Sequence, residues 1–225
     1  MKFYYHPVST TSRPILQFCN DAGISYEPVV VNLMAGEHFE PAYVAINPNC
    51  MVPVIDDDGF VLTESSTILK YLAEKHQSPA YPKDLKQRAR INEMMDWFNA
   101  NLYREYGYHL IYPQIFAHHT RQPEAANEAT IEWGKTQAQK MLSTLNDYYL
   151  GQGNPYLCGD EISIADYFGA AFLTLGEVIG NSFSDYANIE RWLNTIKAMP
   201  SWAATNDMHY GFVAAMKDKT FARIA

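Results

Sequence analysis

Every strand-like segment of this 225-residue chain precedes the stretch QSPAYPKD at 77–84, and every segment after it carries a helical apolar period. Pro79 and Pro82 mark that stretch as a linker. Before it, Lys2 to Tyr5 reads as a strand. Ser12 to Gly23 reads as a helix, with Ile15, Leu16, Cys19 and Ala22 on one face, Pro14 in the first turn and Gly23 as the stop. Tyr26 to Leu33 is again strand-like, completing a βαβ unit suited to a parallel pair. Pro53–Ile55 and Phe60–Thr63 flank the turn DDDG as a hairpin, and Glu64 to His76 forms an amphipathic helix. From Leu85 onward the segments 88–110, 127–151, 163–179 and 188–200 are all helix-periodic. The predicted organisation is an α/β domain at 1–80 followed by an all-helical domain at 86–225, with a ligand expected in the groove between them.

Composition narrows the chemistry. The chain is 48% hydrophobic and 19% charged, an ordinary globular balance. Its net charge of -8 comes without a basic cluster, which argues against nucleic acid and against an anionic membrane surface as partners. No leader-like or membrane-spanning apolar run is visible, so a cytoplasmic location is expected. Cys19, Cys50 and Cys158 are widely spaced, with no CxxC and no histidine pair at zinc spacing; neither a disulfide framework nor a metal is predicted.

One residue conflicts with its surroundings. In NCMVPVI, Pro53 stands at the mouth of a strand where it has no N–H to give. A cis Val52–Pro53 bond resolves the conflict and leaves the Val52 backbone free to pair with an extended peptide. An edge-strand proline without a ligand is the plainer alternative. The next element adds weight to the first, because Glu64 and Ser65 fall at the head of a helix, where Ser65 and the first amides can hold a carboxylate.

VPVI followed by ES at a helix start resembles the glutathione-binding segment of the cytosolic glutathione transferases. The motif CGDEISIADYFGAAFL supports the resemblance, with Ser163 and Asp166 as a capping pair and Ile162 as its staple; Asp166 is thereby read as structural. The likeness runs over essentially the whole chain. It implies a thioredoxin-like first domain, an all-helical second domain, glutathione as co-substrate, no metal, and a homodimer. YYHPVS followed by Arg13 resembles the serine-type theta and delta pattern and puts Ser9 at the serine, with Thr10 and Thr11 as rival hydroxyls.

A free thiol titrates near 8.5 and only its thiolate attacks electrophiles. Lowering that value by about two units takes roughly 2.7 kcal/mol. A hydrogen bond to a charged group supplies about 1.5 to 3 kcal/mol, so one hydroxyl donor at a helix start is enough. The resemblance further implies glutathione contacts from His38, Cys50, Met51, Val52, Pro53, Glu64 and Ser65. Cys50 stands where the delta pattern has a histidine and Ser66 where it has an arginine, which puts the polar contacts to the glycine end in doubt. As a nucleophile Cys50 lies in the wrong segment.

Tyr103, Tyr106 and Leu110 share one face at i, i+3 and i+7, and Tyr112 and Phe116 extend it past Pro113. Such a stripe is core by default; the resemblance turns it toward the groove as an electrophile pocket. The predicted activity is thiolate attack on small apolar electrophiles. A glutathione-dependent dehalogenase and a non-catalytic glutathione- or protein-binding member are the alternatives.

Overall fold

Alternation along the first strand decides how the sheet is covered. The computed structural model describes residues 1–224. Lys2–Tyr5 (β1), Glu27–Val30 (β2), Val54–Asp57 (β3) and Phe60–Leu62 (β4) form one sheet in the order β2-β1-β3-β4, with β1 and β2 parallel and the other pairs antiparallel. Phe3 lies opposite Ile55, and both point into a core with Ile15 and Phe18 of Arg13–Ala22 (α1). Tyr4 lies opposite Val54 on the other face, where Val31, Val52 and Tyr43 of the short helix Pro41–Val44 (α2) form a second cluster. Successive strand residues face opposite sides, so each side needs its own cover. Ser65–Lys75 (α3) completes the first side through Ile68, Leu69 and Leu72.

The helical half begins at Leu85–Trp97 (α4), whose start is capped by the Asp84 carboxylate accepting from Lys86 N and Gln87 N at 3.1 and 2.9 Å. The same rod continues through two π-helical stretches, Phe98–Leu102 and Arg104–Ile111, into Tyr112–Ile115 (α5). Glu124–Thr144 (α6) crosses it closely. A Cβ on Gly134 would stand 2.7 Å from the His109 backbone, and this glycine sets the approach. Ile164–Thr174 (α7) is buried along its entire length, and Ala187–Lys197 (α8) and Trp202–Met216 (α9) pack around it.

Two differences from the sequence reading have simple causes. Strand β2 ends at Val30 and not Leu33, because Asn32 N turns to donate to the Glu37 carboxylate at 2.6 Å. Helix α9 has a weakly amphipathic sequence, with Asn206 and His209 buried among its apolar positions, and periodicity did not single it out. One side chain fastens the halves together. Arg13, fully buried at the start of α1, donates to Ala171 O at 2.7 Å, Thr174 Oγ1 at 3.0 Å and Asn206 Oδ1 at 2.9 Å. The turn before α1 is thus held against α7 and α9.

Candidate active site

The turn between β1 and α1 is built from its own hydroxyls. Ser9 O accepts from Ser12 N and Arg13 N at 3.1 and 3.0 Å, and Ser9 Oγ accepts from Ser12 N at 3.3 Å. Thr11 Oγ1 lies 3.1 Å from Ser9 Oγ and donates to the Val52 carbonyl at 3.0 Å. The Val52–Pro53 peptide is cis. Met51 O, one residue earlier, accepts from Tyr43 Oη and Asn47 Nδ2, both at 2.7 Å, which fixes the approach to β3. Among the described residues nothing accepts from the Val52 N–H.

The start of α3 faces the same space. Glu64 precedes it with φ 66°, a left-handed value unfavourable for a residue with a Cβ. Such strain costs about 1 to 3 kcal/mol and persists where neighbours over-determine the backbone, often at a ligand site. Ser65 is buried at the first helical position, and among the described residues no side chain caps the helix. Its first amides are free for a ligand.

A cavity of about 400 Å³ joins these pieces; Thr11, Val52, Pro53, Glu64 and Ser65 line one side, and Asn99, Tyr103, Arg104 and Tyr108 the other. Met51 lines it as well, half exposed. Cys50 does not. It has φ 55°, and its thiol points to Pro48 O at 3.7 Å. His38 is also outside, in the turn Glu37–Phe39; its ring sits 3.9 Å from that of Phe39, and its buried Nδ1 has no partner among the described residues.

Ser9 opens on an adjoining, more apolar cavity of about 130 Å³, lined by Thr10, Tyr112, Phe116 and, from α9, His209 and Phe212. Tyr103 lines both cavities. The predicted stripe divides here. Tyr106 and Leu110 are fully buried, and Tyr106 Oη donates to Leu173 O at 3.3 Å and accepts from Asn181 Nδ2 at 3.0 Å; neither residue lines either of these two cavities. The reason is the π-helical winding, which stacks residues five apart. Tyr103 and Tyr108 therefore share a face, as do Asn99 and Arg104. A 3.6-residue period does not find Asn99, Arg104 or Tyr108.

A chain of hydroxyls links the second cavity to the turn. Tyr103 Oη and Tyr112 Oη are 2.5 Å apart, and Tyr112 Oη donates to Thr10 Oγ1 at 3.3 Å. Burial pushes the Tyr112 phenol up to about 12, and burial reinforced by Tyr112 holds Tyr103 well above the ordinary phenol range. Both stay protonated at neutral pH and serve as donors. Thr10 is engaged with Tyr112, whereas Thr11 meets the Val52 carbonyl and Ser9 meets Thr11.

Family models match both halves of the chain. Residues 8–75 match the glutathione S-transferase N-terminal domain and residues 66–200 the C-terminal domain. The chain belongs to the glutathione S-transferase family. It is similar to the delta-class transferase of Nilaparvata lugens, at 27% identity over 96% of this chain and 98% of that one, with a TM-score of 0.79. Bombyx mori glutathione S-transferase unclassified 2 is 29% identical over 98% and 99%, with a TM-score of 0.82. Human glutathione transferase theta-2, solved with glutathione and an unknown ligand, is 26% identical over 100% and 93%, with a TM-score of 0.83. The serine-type resemblance, the thioredoxin-like and all-helical fold, and the identity as a glutathione transferase enzyme all hold.

Other reactive groups of this transferase lie elsewhere. Burial pushes the Cys19 and Cys158 thiols up to about 12, far from thiolate chemistry. Asp166 is buried beneath the start of α7, where it accepts from Leu157 N, Ser163 N and Ser163 Oγ at 2.8 Å and from Trp192 Nε1 at 2.9 Å. Among the described residues no group of three or more acidic, histidine or cysteine side chains is placed to hold a metal, and no helix is long and apolar enough to cross a membrane.

Proposed function

We propose that this transferase binds glutathione along the larger cavity and activates its thiol as a thiolate with the Ser9 hydroxyl. The cysteinyl unit pairs with the Val52 N–H and carbonyl. The γ-glutamyl carboxylate meets Ser65 and the first amides of α3, and its ammonium meets Glu64. What carries the reading is the open Val52 N–H beside the uncapped start of α3, both facing one cavity. Met51 and Pro53 shape the wall. His38 and Cys50 then stay outside first contact with the peptide, and the glycine end falls to Asn47, Asn49 and Arg104, which line the remaining wall.

The electrophile occupies the smaller cavity against Tyr103, Tyr112 and Phe116, whose rings supply its apolar wall. Its volume of about 130 Å³ lies below that of drug-sized pockets, which favours compact apolar electrophiles and suits conjugation or dehalogenation by the same thiolate attack. The domains we assign are 1–80 for glutathione and 86–225 for the electrophile. The enzyme works as a homodimer, because the unpaired outer edge of β4 presents Phe60 and Val61 at 51% and 44% exposure.

Ultraviolet titration of the thiol in the bound state tests the reading. In the wild type the bound thiol titrates below free glutathione. Ser9→Ala raises it by about one to two units, lowers turnover at neutral pH roughly ten- to a hundredfold, and leaves affinity nearly intact. A bound thiol that titrates as in free solution refutes thiolate activation. Activity lost in Cys50→Ala but kept in Ser9→Ala moves the chemistry to Cys50.

A further inference from the structure

The hydroxyls of Ser9 and Thr11 can be followed proton by proton. Each carries one proton and two acceptor lone pairs. Thr11 gives its proton to the Val52 carbonyl at 3.0 Å, so in its 3.1 Å contact with Ser9 it must accept. Ser9 therefore donates to Thr11 while accepting from Ser12 N at 3.3 Å. In this arrangement the Ser9 proton points along the turn, and none is left for a sulfur atom. The group at the end of the line is the Val52 carbonyl, one half of the edge offered to a peptide.

We propose that Val52, Thr11 and Ser9 form a hydroxyl relay that reverses when the cysteinyl N–H of glutathione reaches the Val52 carbonyl. The inference rests on the placement of glutathione given above. With the carbonyl taken by the ligand, Thr11 turns its proton onto Ser9 Oγ. Ser9 then accepts from both Ser12 N and Thr11 and turns its own proton onto the sulfur. Both protons and both Ser9 lone pairs are used, and the thiol proton leaves to water. A carbonyl can hold two donors, so reversal needs its own driving force. It has one: a hydrogen bond to a thiolate is charge-assisted and about twice as strong as the neutral bond it replaces. Donation from Thr11 also polarises the Ser9 hydroxyl and strengthens that bond. Thr11 is on this account a positioning residue that acts on the sulfur only through Ser9. The relay makes thiol activation conditional on correct seating of the peptide backbone.

The test is the bound-thiol titration repeated on the full chain carrying Thr11→Val, Thr11→Ala, Thr11→Ser, Ser9→Ala and the Ser9→Ala/Thr11→Val pair, with glutathione affinity measured separately by calorimetry. Thr11→Val and Thr11→Ala are expected to raise the thiol pKa by about 0.5 to 1 unit, the equivalent of one neutral hydrogen bond. Affinity should stay within about twofold, and Thr11→Ser should restore the wild-type value. The double variant should titrate like Ser9→Ala alone. A wild-type titration in both Thr11→Val and Thr11→Ala overturns the relay while leaving Ser9 activation standing. A Thr11→Val shift that adds to that of Ser9→Ala shows Thr11 acting directly on sulfur and also overturns it. If the wild-type bound thiol titrates as in free solution, the function proposed above fails and the relay with it.

Discussion

Four consecutive hydroxyl residues, Ser9 to Ser12, are chemically near-equivalent in the sequence, yet each has a different environment. Ser9 meets Thr11, Thr10 accepts from Tyr112, Thr11 donates to Val52, and Ser12 is buried with an unpartnered Oγ. The sequence reading left Ser9, Thr10 and Thr11 as rivals because propensity and chemistry do not separate them; partners more than forty positions away do. Ser65 is a simpler case, since its place after a strand and before an amphipathic helix was legible from pattern alone. On the proposed placement, replacing it with Ala removes a donor to the γ-glutamyl carboxylate, a loss of about 1.5 to 3 kcal/mol. Calorimetry should accordingly record a dissociation constant roughly ten- to 150-fold higher. An unchanged constant removes the carboxylate from the start of α3.

Among the elements, the rod from Leu85 to Ile115 shows where periodicity misleads. Its existence was legible over 88–110, but its winding changes to π between Phe98 and Ile111. That change turns Tyr106 and Leu110 into the core and Tyr103 and Tyr108 onto the groove. Gly107 permits it locally, because a Cβ there would stand 2.6 Å from the Tyr103 ring. Helix α9 contributes a pH dependence. His209 Nε2–H donates to Thr174 O at 3.1 Å, at the end of α7, with the ring 1% exposed. Burial, helped by the Arg13 charge, pushes its pKa down to about 3 from an ordinary 6.5. The unfolded chain takes up this proton below pH 6.5 and the folded chain does not until about pH 3. Stability from the neutral ring is thus complete above pH 6.5 and is lost progressively as pH falls, by about 3 kcal/mol at pH 4. Denaturant midpoints across this range should fall for the wild type, and the slope should flatten in His209→Gln. An equal slope in that variant assigns the acid loss to other groups.

At the scale of the molecule, the edge of β4 bears on assembly. Phe60 and Val61 are exposed on a strand with one free side, and an uncovered apolar edge is a liability in solution. A second copy of the chain covers it in the proposed dimer. Sedimentation at micromolar concentration should report about twice 25.6 kDa, and Phe60→Glu should shift the population toward the monomer. A wild-type chain that sediments only at 25.6 kDa disproves the dimer.

The succession of strands and of most helices, the proline at the mouth of β3, the capped start of α7 and the place of Glu64 and Ser65 at the head of α3 follow from the sequence alone. Turn residues, caps and apolar periods act over a few positions, so local physics decides them. The tertiary structure alone decided which hydroxyl faces which partner, which tyrosines leave the core, and how Arg13 fastens the turn before α1 to α7 and α9. Those outcomes depend on atoms brought within about 3 Å of each other from distant parts of the chain, and a hydrogen bond at that range is too short and directional for any linear pattern to encode.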